Sequence, residues 1–164
     1  MKKVILVLIM VLSTVCLKAQ NVVGYTEDAV EYTDVKIPVN WENTFEEAIS
    51  KADAEDKPIL IYFTGSDWCG PCKRIDENLF HTEKFTNFSN ENLVLYMADF
   101  PRNRDLVTKE NKKINKQLSK KYNQNSFPTM IMVDKRGNVL GRKDGTYMVD
   151  YYYTFFNSVV RDFK

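Results

Sequence analysis

Read along the chain, apolar and polar residues alternate between two kinds of segment. Short unbroken apolar runs, Ile59-Leu60-Ile61-Tyr62-Phe63, Leu93-Val94-Leu95-Tyr96-Met97 and Thr129-Met130-Ile131-Met132-Val133, are rich in β-formers and read as strands covered on both faces. Between them, apolar positions recur at helical spacing. Trp41, Phe45, Ala48, Ile49 and Ala52 make one such face, ended by Lys57-Pro58. Thr44 with Glu47 has the spacing of a capping box, which would leave Trp41 just outside that helix. A second helix is expected from the Cys-Gly-Pro-Cys segment to about Leu79, followed by an irregular or helical piece from Phe80 to Asn92. A third spans Leu106 to Tyr122 with Ile114, Leu118 and Tyr122 inward. Asp134-Lys135-Arg136-Gly137-Asn138 is a turn, with Val139-Leu140-Gly141 as its hairpin partner. Val149, Tyr152, Tyr153, Phe156, Val160 and Phe163 form the stripe of a closing helix. Alternating strands and helices predict an α/β domain. Its sheet is parallel at first, gains an antiparallel edge from the hairpin, and carries helices on both faces.

The start of the chain follows a different pattern. Lys2 and Lys3 precede an apolar run from Val4 to Leu12 and a small residue, Ala19, which is the layout of a secretory signal. The run is too short to cross a bilayer, which takes about 20 residues. The expected organisation is a signal peptide over 1–19, a tail over 20–38 with a short strand near Val35-Lys36-Ile37, and one domain over 39–164. Cys16 leaves a lipid anchor as a minor option, although Val15 is a poor residue to precede a lipidated cysteine. Removal of the signal takes Lys2, Lys3 and Lys18 with it. That leaves 20 basic side chains against 22 acids, a net charge near −2. Such a balance supplies no overall attraction to nucleic acid or acidic membranes. The lysines between Lys109 and Lys121, with Glu110 as the one acid among them, read as a solvated helix face.

Candidate chemistry is concentrated in Trp68-Cys69-Gly70-Pro71-Cys72. Cys69 and Cys72 are two of the three cysteines, and the third, Cys16, lies in the expected signal. In an exported chain a disulfide forms and persists, and one close pair is not a structural framework. A disulfide across so short a loop stabilises little, because the entropic gain grows with loop length. A structural zinc needs about four ligands, and His81 is the only histidine, so no metal and no cofactor is expected. His81 reads as a helix end. The spacing suits a dithiol that closes and reopens. Cys69 stands where the helix begins, so its pKa is expected below the usual value of about 8.5. Cys72, one turn further in, is expected to be more buried and to stay protonated longer. Cys69 then attacks and Cys72 resolves the mixed disulfide. Lys73 and Arg74 flank the pair, as site charges or as solubilising ones.

Lys57 to Arg74, Lys-Pro-Ile-Leu-Ile-Tyr-Phe-Thr-Gly-Ser-Asp-Trp-Cys-Gly-Pro-Cys-Lys-Arg, resembles a thioredoxin. It is similar above all to the exported branch that resembles the C-terminal domain of the bacterial transmembrane thiol-disulfide interchange reductase. The likeness continues through Asp99-Phe100-Pro101-Arg102, Ser126-Phe127-Pro128-Thr129 and the Gly137 hairpin, from about Trp41 to Phe163. The resemblance implies the thioredoxin fold and a redox-active Cys69–Cys72 disulfide. It implies a cis-proline at Pro128 that presents the backbone of Phe127 to substrate, an apolar rim at Trp68, and a groove completed by Gly70, Pro71 and Gly145. It further implies an exported, periplasmic or secreted oxidoreductase that reduces or isomerises protein disulfides and draws electrons from a membrane thiol donor. A thiol oxidase of the same fold and a non-catalytic peptide-binding module are the alternatives. One departure stands out. Thioredoxins place a buried aspartate on the strand before the motif to take the proton of the second cysteine, and the matching position here is Tyr62. Asp67, beside the motif, reads as a solvated loop residue.

Overall fold

The computed structural model describes residues 38–164, so the expected signal, Cys16 and the strand near Val35 lie outside the described residues. Five strands form one sheet in the order β1-β3-β2-β4-β5: β1 (Trp41–Glu42), β2 (Ile59–Thr64), β3 (Val94–Asp99), β4 (Thr129–Val133) and β5 (Val139–Asp144). β1, β3 and β2 run parallel, while β4 is antiparallel to β2 and β5 is antiparallel to β4. The helices are α1 (Phe45–Glu55), α2 (Gly70–Ile75), α3 (Glu83–Asn92), α4 (Lys109–Lys121) and α5 (Val149–Phe163).

The period-two geometry of the strands explains their continuous hydrophobicity, since alternate side chains feed two separate cores. Leu60, Tyr62, Leu95, Met130 and Met132 pack with residues of α2, α3 and α5. Ile59, Ile61, Phe63, Tyr96, Ile131 and Val133 pack with Ala48 and Ala52 of α1, with Leu118 of α4 and with Tyr122 at its C-terminal cap. The two faces of β2 are therefore equally dry, as the predicted mixed sheet between two helical layers requires.

One conditional reading holds, and two boundaries differ from the expectation. The Thr44–Glu47 capping box is present: Thr44 Oγ1 accepts from Glu47 N at 3.1 Å, and Thr44 N donates to Glu47 Oε2 at 3.3 Å. This cap starts α1 at Phe45 and leaves Trp41 to pair with Leu95 as a strand residue, although its spacing matched the helix. α4 starts at Lys109 rather than Leu106. Thr108 caps it by accepting from Asn111 N at 3.1 Å, and Arg104–Leu106 forms a separate 3₁₀ turn. The helix after the cysteines changes pitch at Asp76 and continues to Phe80 as a π-helix, with His81 closing it.

Candidate active site

The site is built where the two loops at the C-terminal ends of β2 and β3 meet. After β2, the chain turns back at Gly65, whose carbonyl accepts from both Trp68 N (3.1 Å) and Cys69 N (2.8 Å). Asp67, read from sequence as a solvated loop residue, also has a structural part. Its carboxylate accepts from Arg102 N at 2.9 Å and Asn103 N at 2.8 Å, tying this turn to the loop after β3. Those amide donors hold the Asp67 carboxyl below the usual carboxylate range. Ser66 repeats the device from the other side, donating through N and Oγ to Asp99 at 2.9 and 2.6 Å.

The tied loops fix Trp68. Its Nε1 donates to Phe100 O at 2.8 Å, its ring meets Phe127 edge-on at 5.5 Å, and the Arg102 guanidinium lies 5.5 Å from the ring centroid. The indole still keeps 38% of its surface open, so it forms an exposed ledge beside Cys69. Gly65 makes room for it, since a Cβ there would sit 2.3 Å from Trp68 Cε2. No larger residue fits without moving the ring.

Cys69 is the N-cap of α2, and its sulfur accepts from Cys72 N at 3.3 Å. Gly70 and Pro71 form the first turn, where the missing proline N–H costs no hydrogen bond. Cys69 and Cys72 are joined in a disulfide. Both residues are largely shielded: Cys69 is 4% exposed and Cys72 is fully buried. Exposed Lys73 donates to Asp67 O at 3.1 Å, which places its ammonium against the turn leading into Cys69.

Phe127–Pro128 is a cis peptide bond. Pro128 O accepts from Gly145 N at 2.8 Å, so the loop after β5 is bonded directly to the cis-proline turn. Gly145 has φ +85°, a conformation that favours glycine. Tyr152 of α5 clamps it by donating to Gly145 O and accepting from Tyr147 N, both at 3.1 Å. Beside this turn, Arg74, Ile75 and Asn78 face Thr146, Tyr147 and Met148 across a cleft of about 490 Å³. The residues predicted for the site, Trp68, Cys69, Gly70, Pro71, Cys72, Phe127, Pro128 and Gly145, thus lie on three segments, the first turn of α2 and the loop before it, the cis-proline turn and the loop after β5, joined by hydrogen bonds and ring contacts.

A model of the thioredoxin-like domain family matches residues 45–159. The chain belongs to the thioredoxin-like family. It is 30% identical over 104 residues to a disulfide bond reductase, DsbH, of Chlamydia pneumoniae, covering 63% of this chain and 61% of that protein. Over 94 residues it is 30% identical to the thioredoxin-related protein DsbJ of the same organism, covering 57% of this chain and 26% of that protein. The chain therefore spans less than two thirds of the length of these curated relatives. Among solved structures, a DsbH oxidoreductase superposes with a TM-score of 0.70 at 26% identity, covering 76% of this chain and 86% of that one.

Within this thioredoxin-like frame the surroundings of Cys72 hold a tyrosine and an acid. Tyr62, at the position of the usual aspartate, is fully buried, and its hydroxyl donates to Cys72 O at 3.2 Å. Burial, and then the nearby negative charge of Asp76, push the Tyr62 pKa upward, so it stays a donor at any ordinary pH. Asp76, four residues after Cys72, is a second, partly buried group near it. Its backbone N–H donates to Cys72 O, which puts its side chain on the helix face of Cys72. One carboxylate oxygen is sealed from solvent with no hydrogen-bond partner among the described residues. Burial raises its pKa to about 6, with the Tyr62 hydroxyl opposing the shift and the charges of Asp99 and Glu77 adding to it. The sequence carries a signal for it in retrospect, a carboxylate at helical spacing from the second cysteine, but burial at that position becomes visible only once α2 is packed against β2.

Proposed function

We propose that the chain is an exported thiol-disulfide oxidoreductase that reduces or isomerises protein disulfides through Cys69 and Cys72. The observation that carries this reading is the meeting of an N-capping Cys69 with the Trp68 ledge and the cis Phe127–Pro128 turn, joined by the Trp68–Phe127 contact. In the reduced protein, the Cys69 thiolate attacks one sulfur of a client disulfide, and the other client sulfur leaves as a thiolate that takes a proton from water. Cys72 then gives its proton to the Asp76 carboxylate and attacks Cys69 Sγ. The second client sulfur leaves, and two electrons have passed to the client while the protein holds the Cys69–Cys72 disulfide. With a pKa near 6, Asp76 is mostly ionised at neutral pH and ready to accept that proton. Trp68, Gly70, Pro71, Phe127, Pro128 and Gly145 form the client groove, with the Phe127 backbone free for an extended client strand.

Export is supported by the basic-then-apolar start of the sequence and by the kinship with Dsb proteins. Continued reduction outside the cytosol then requires a membrane thiol donor. Reduction rather than oxidation is favoured by the Gly-Pro pair and by the likeness to DsbH, a disulfide bond reductase. Equilibration with glutathione tests the direction. The expected reduction potential lies at about −200 to −270 mV, the range of glutaredoxins and thioredoxins. A value near about −120 mV, that of a strong oxidant, would assign the dithiol to oxidation instead.

A further inference from the structure

The lysine-rich face of α4 borders the site through the loop after β3. A groove of about 570 Å³ runs between that loop and α4, lined by Asp99, Phe100, Pro101, Arg104, Asp105 and the lysines at 109, 112 and 116. Of its two acids, Asp99 is occupied: both carboxylate oxygens accept from Ser66. Lys112 donates to Arg104 O and so holds one wall in place. Arg104, Lys109 and Lys116 are exposed, and among the described residues none of them forms an ion pair. From Asp99 to Lys121 there are eight cationic side chains against three acids, in a chain whose whole formal charge is +1. The positive charge is therefore gathered in one stretch, and the lysine spacing of three and four residues puts it on one helix face. The groove adjoins the site through Phe100, which supplies the carbonyl that holds the Trp68 indole and packs on Phe127 at 5.5 Å. Arg102 stands over Trp68 at the junction.

We propose that the groove binds an acidic segment of the client polypeptide next to the disulfide being exchanged, and so selects clients by charge. The client's identity as a disulfide substrate rests on the oxidoreductase reading; the binding of an acidic segment does not. Unpaired cations beside a reactive centre raise the encounter rate of oppositely charged chains, and salt screens the effect within about 8 Å at physiological ionic strength.

The test uses disulfide-linked peptides that differ only in carrying a run of Glu or a run of Gln beside the cystine. At low salt the Glu peptide is expected to be reduced with a kcat/KM about tenfold above the Gln peptide, and about 0.5 M salt should remove the difference. The double substitution Lys109→Glu/Lys116→Glu touches no residue of the dithiol site. It should lower kcat/KM for the Glu peptide about tenfold and for the Gln peptide less than about twofold. A Glu peptide with serine in place of cysteine should bind without reaction, perturb Trp68 fluorescence, and lose affinity in the same variant. If neither peptide is reduced but the serine peptide binds in this charge-dependent way, the groove stands and the oxidoreductase reading falls. Equal kcat/KM for both peptides, or a preference that survives the double substitution, overturns the groove. So does charge-dependent binding to phosphatidylglycerol vesicles with which the serine peptide does not compete, because the face then meets a lipid surface.

Discussion

Cys72→Ala is expected to convert the protein into a covalent trap. Cys69 remains at the N-cap of α2 beside the Trp68 ledge, so its attack on a client disulfide should proceed at close to the parental rate. What disappears is the second thiol, held one helical turn away. An intramolecular partner in that geometry has an effective concentration far above that of any thiol in solution, so its loss should slow resolution by at least about 100-fold. Mixed disulfides with client proteins should then accumulate. They should appear on non-reducing gels and in mass spectra as adducts through Cys69, and should dissolve on adding dithiothreitol. The alanine leaves a small void at a fully buried position, at a cost of about 1–2 kcal/mol, which a domain of this size tolerates. A binding module that uses the groove without turnover would give no such adducts.

Asp76→Asn should have two separable effects. The first is kinetic. If the Asp76 carboxylate takes the proton of Cys72, an amide of the same shape cannot, and resolution of the mixed disulfide should slow about 10- to 100-fold at pH 7 to 8. Below about pH 5 the aspartate is itself protonated, so the variant and the parent should converge. Single-turnover quenching over a pH series reads this directly. The second effect is on stability, and its sign follows from the direction of the shift. The folded protein holds the Asp76 proton to about pH 6, whereas the unfolded chain releases it near the model value of 3.8. Folding is thus unpenalised below the unfolded value and loses stability as pH rises through the folded one. The two-unit shift would correspond to about 3 kcal/mol for a sealed group, but the carboxyl keeps partial access to solvent, so about 1–2 kcal/mol is expected. Asp76→Asn should therefore raise the melting temperature of the oxidised protein by about 3–6 °C at pH 8 and leave it unchanged at pH 4. A stability gain with an unaltered resolving step would make Asp76 a merely buried acid and leave Cys72 to another acceptor.

The parts of this molecule legible in its sequence are those where local and tertiary signals agree. β2 and β4 read directly because strands buried on both faces have no polar positions to confuse the period. The closing helix read directly because Tyr152, Phe156 and Val160 recur where a single apolar face needs them. Cys69 at a helix start followed from Pro71, whose fixed φ suits the first turn. Other features depend on partners distant in sequence. Trp41 carries the right helical spacing, but the Thr44 cap and a short pairing with β3 place it in a strand. Asp67 looks like any loop acid until the amides of Arg102 and Asn103, some 35 residues away, turn to meet it. Tyr62 signalled that the usual acid was missing. The carboxyl proposed in its place, Asp76, follows α2 rather than standing on the strand, and only its packed orientation marks it. The α4 lysines read as a solvated face because sequence alone does not show that the loop after β3 folds over them into a groove.

The central claim is that Cys69 and Cys72 turn over disulfides, and reduction of insulin by the full chain with dithiothreitol as electron source tests it most directly. The account predicts catalysed precipitation of the insulin B chain by the parent protein and no rate above the dithiothreitol background for Cys69→Ser. Catalysis that survives Cys69→Ser, or a folded parent protein that gives no acceleration, would contradict it.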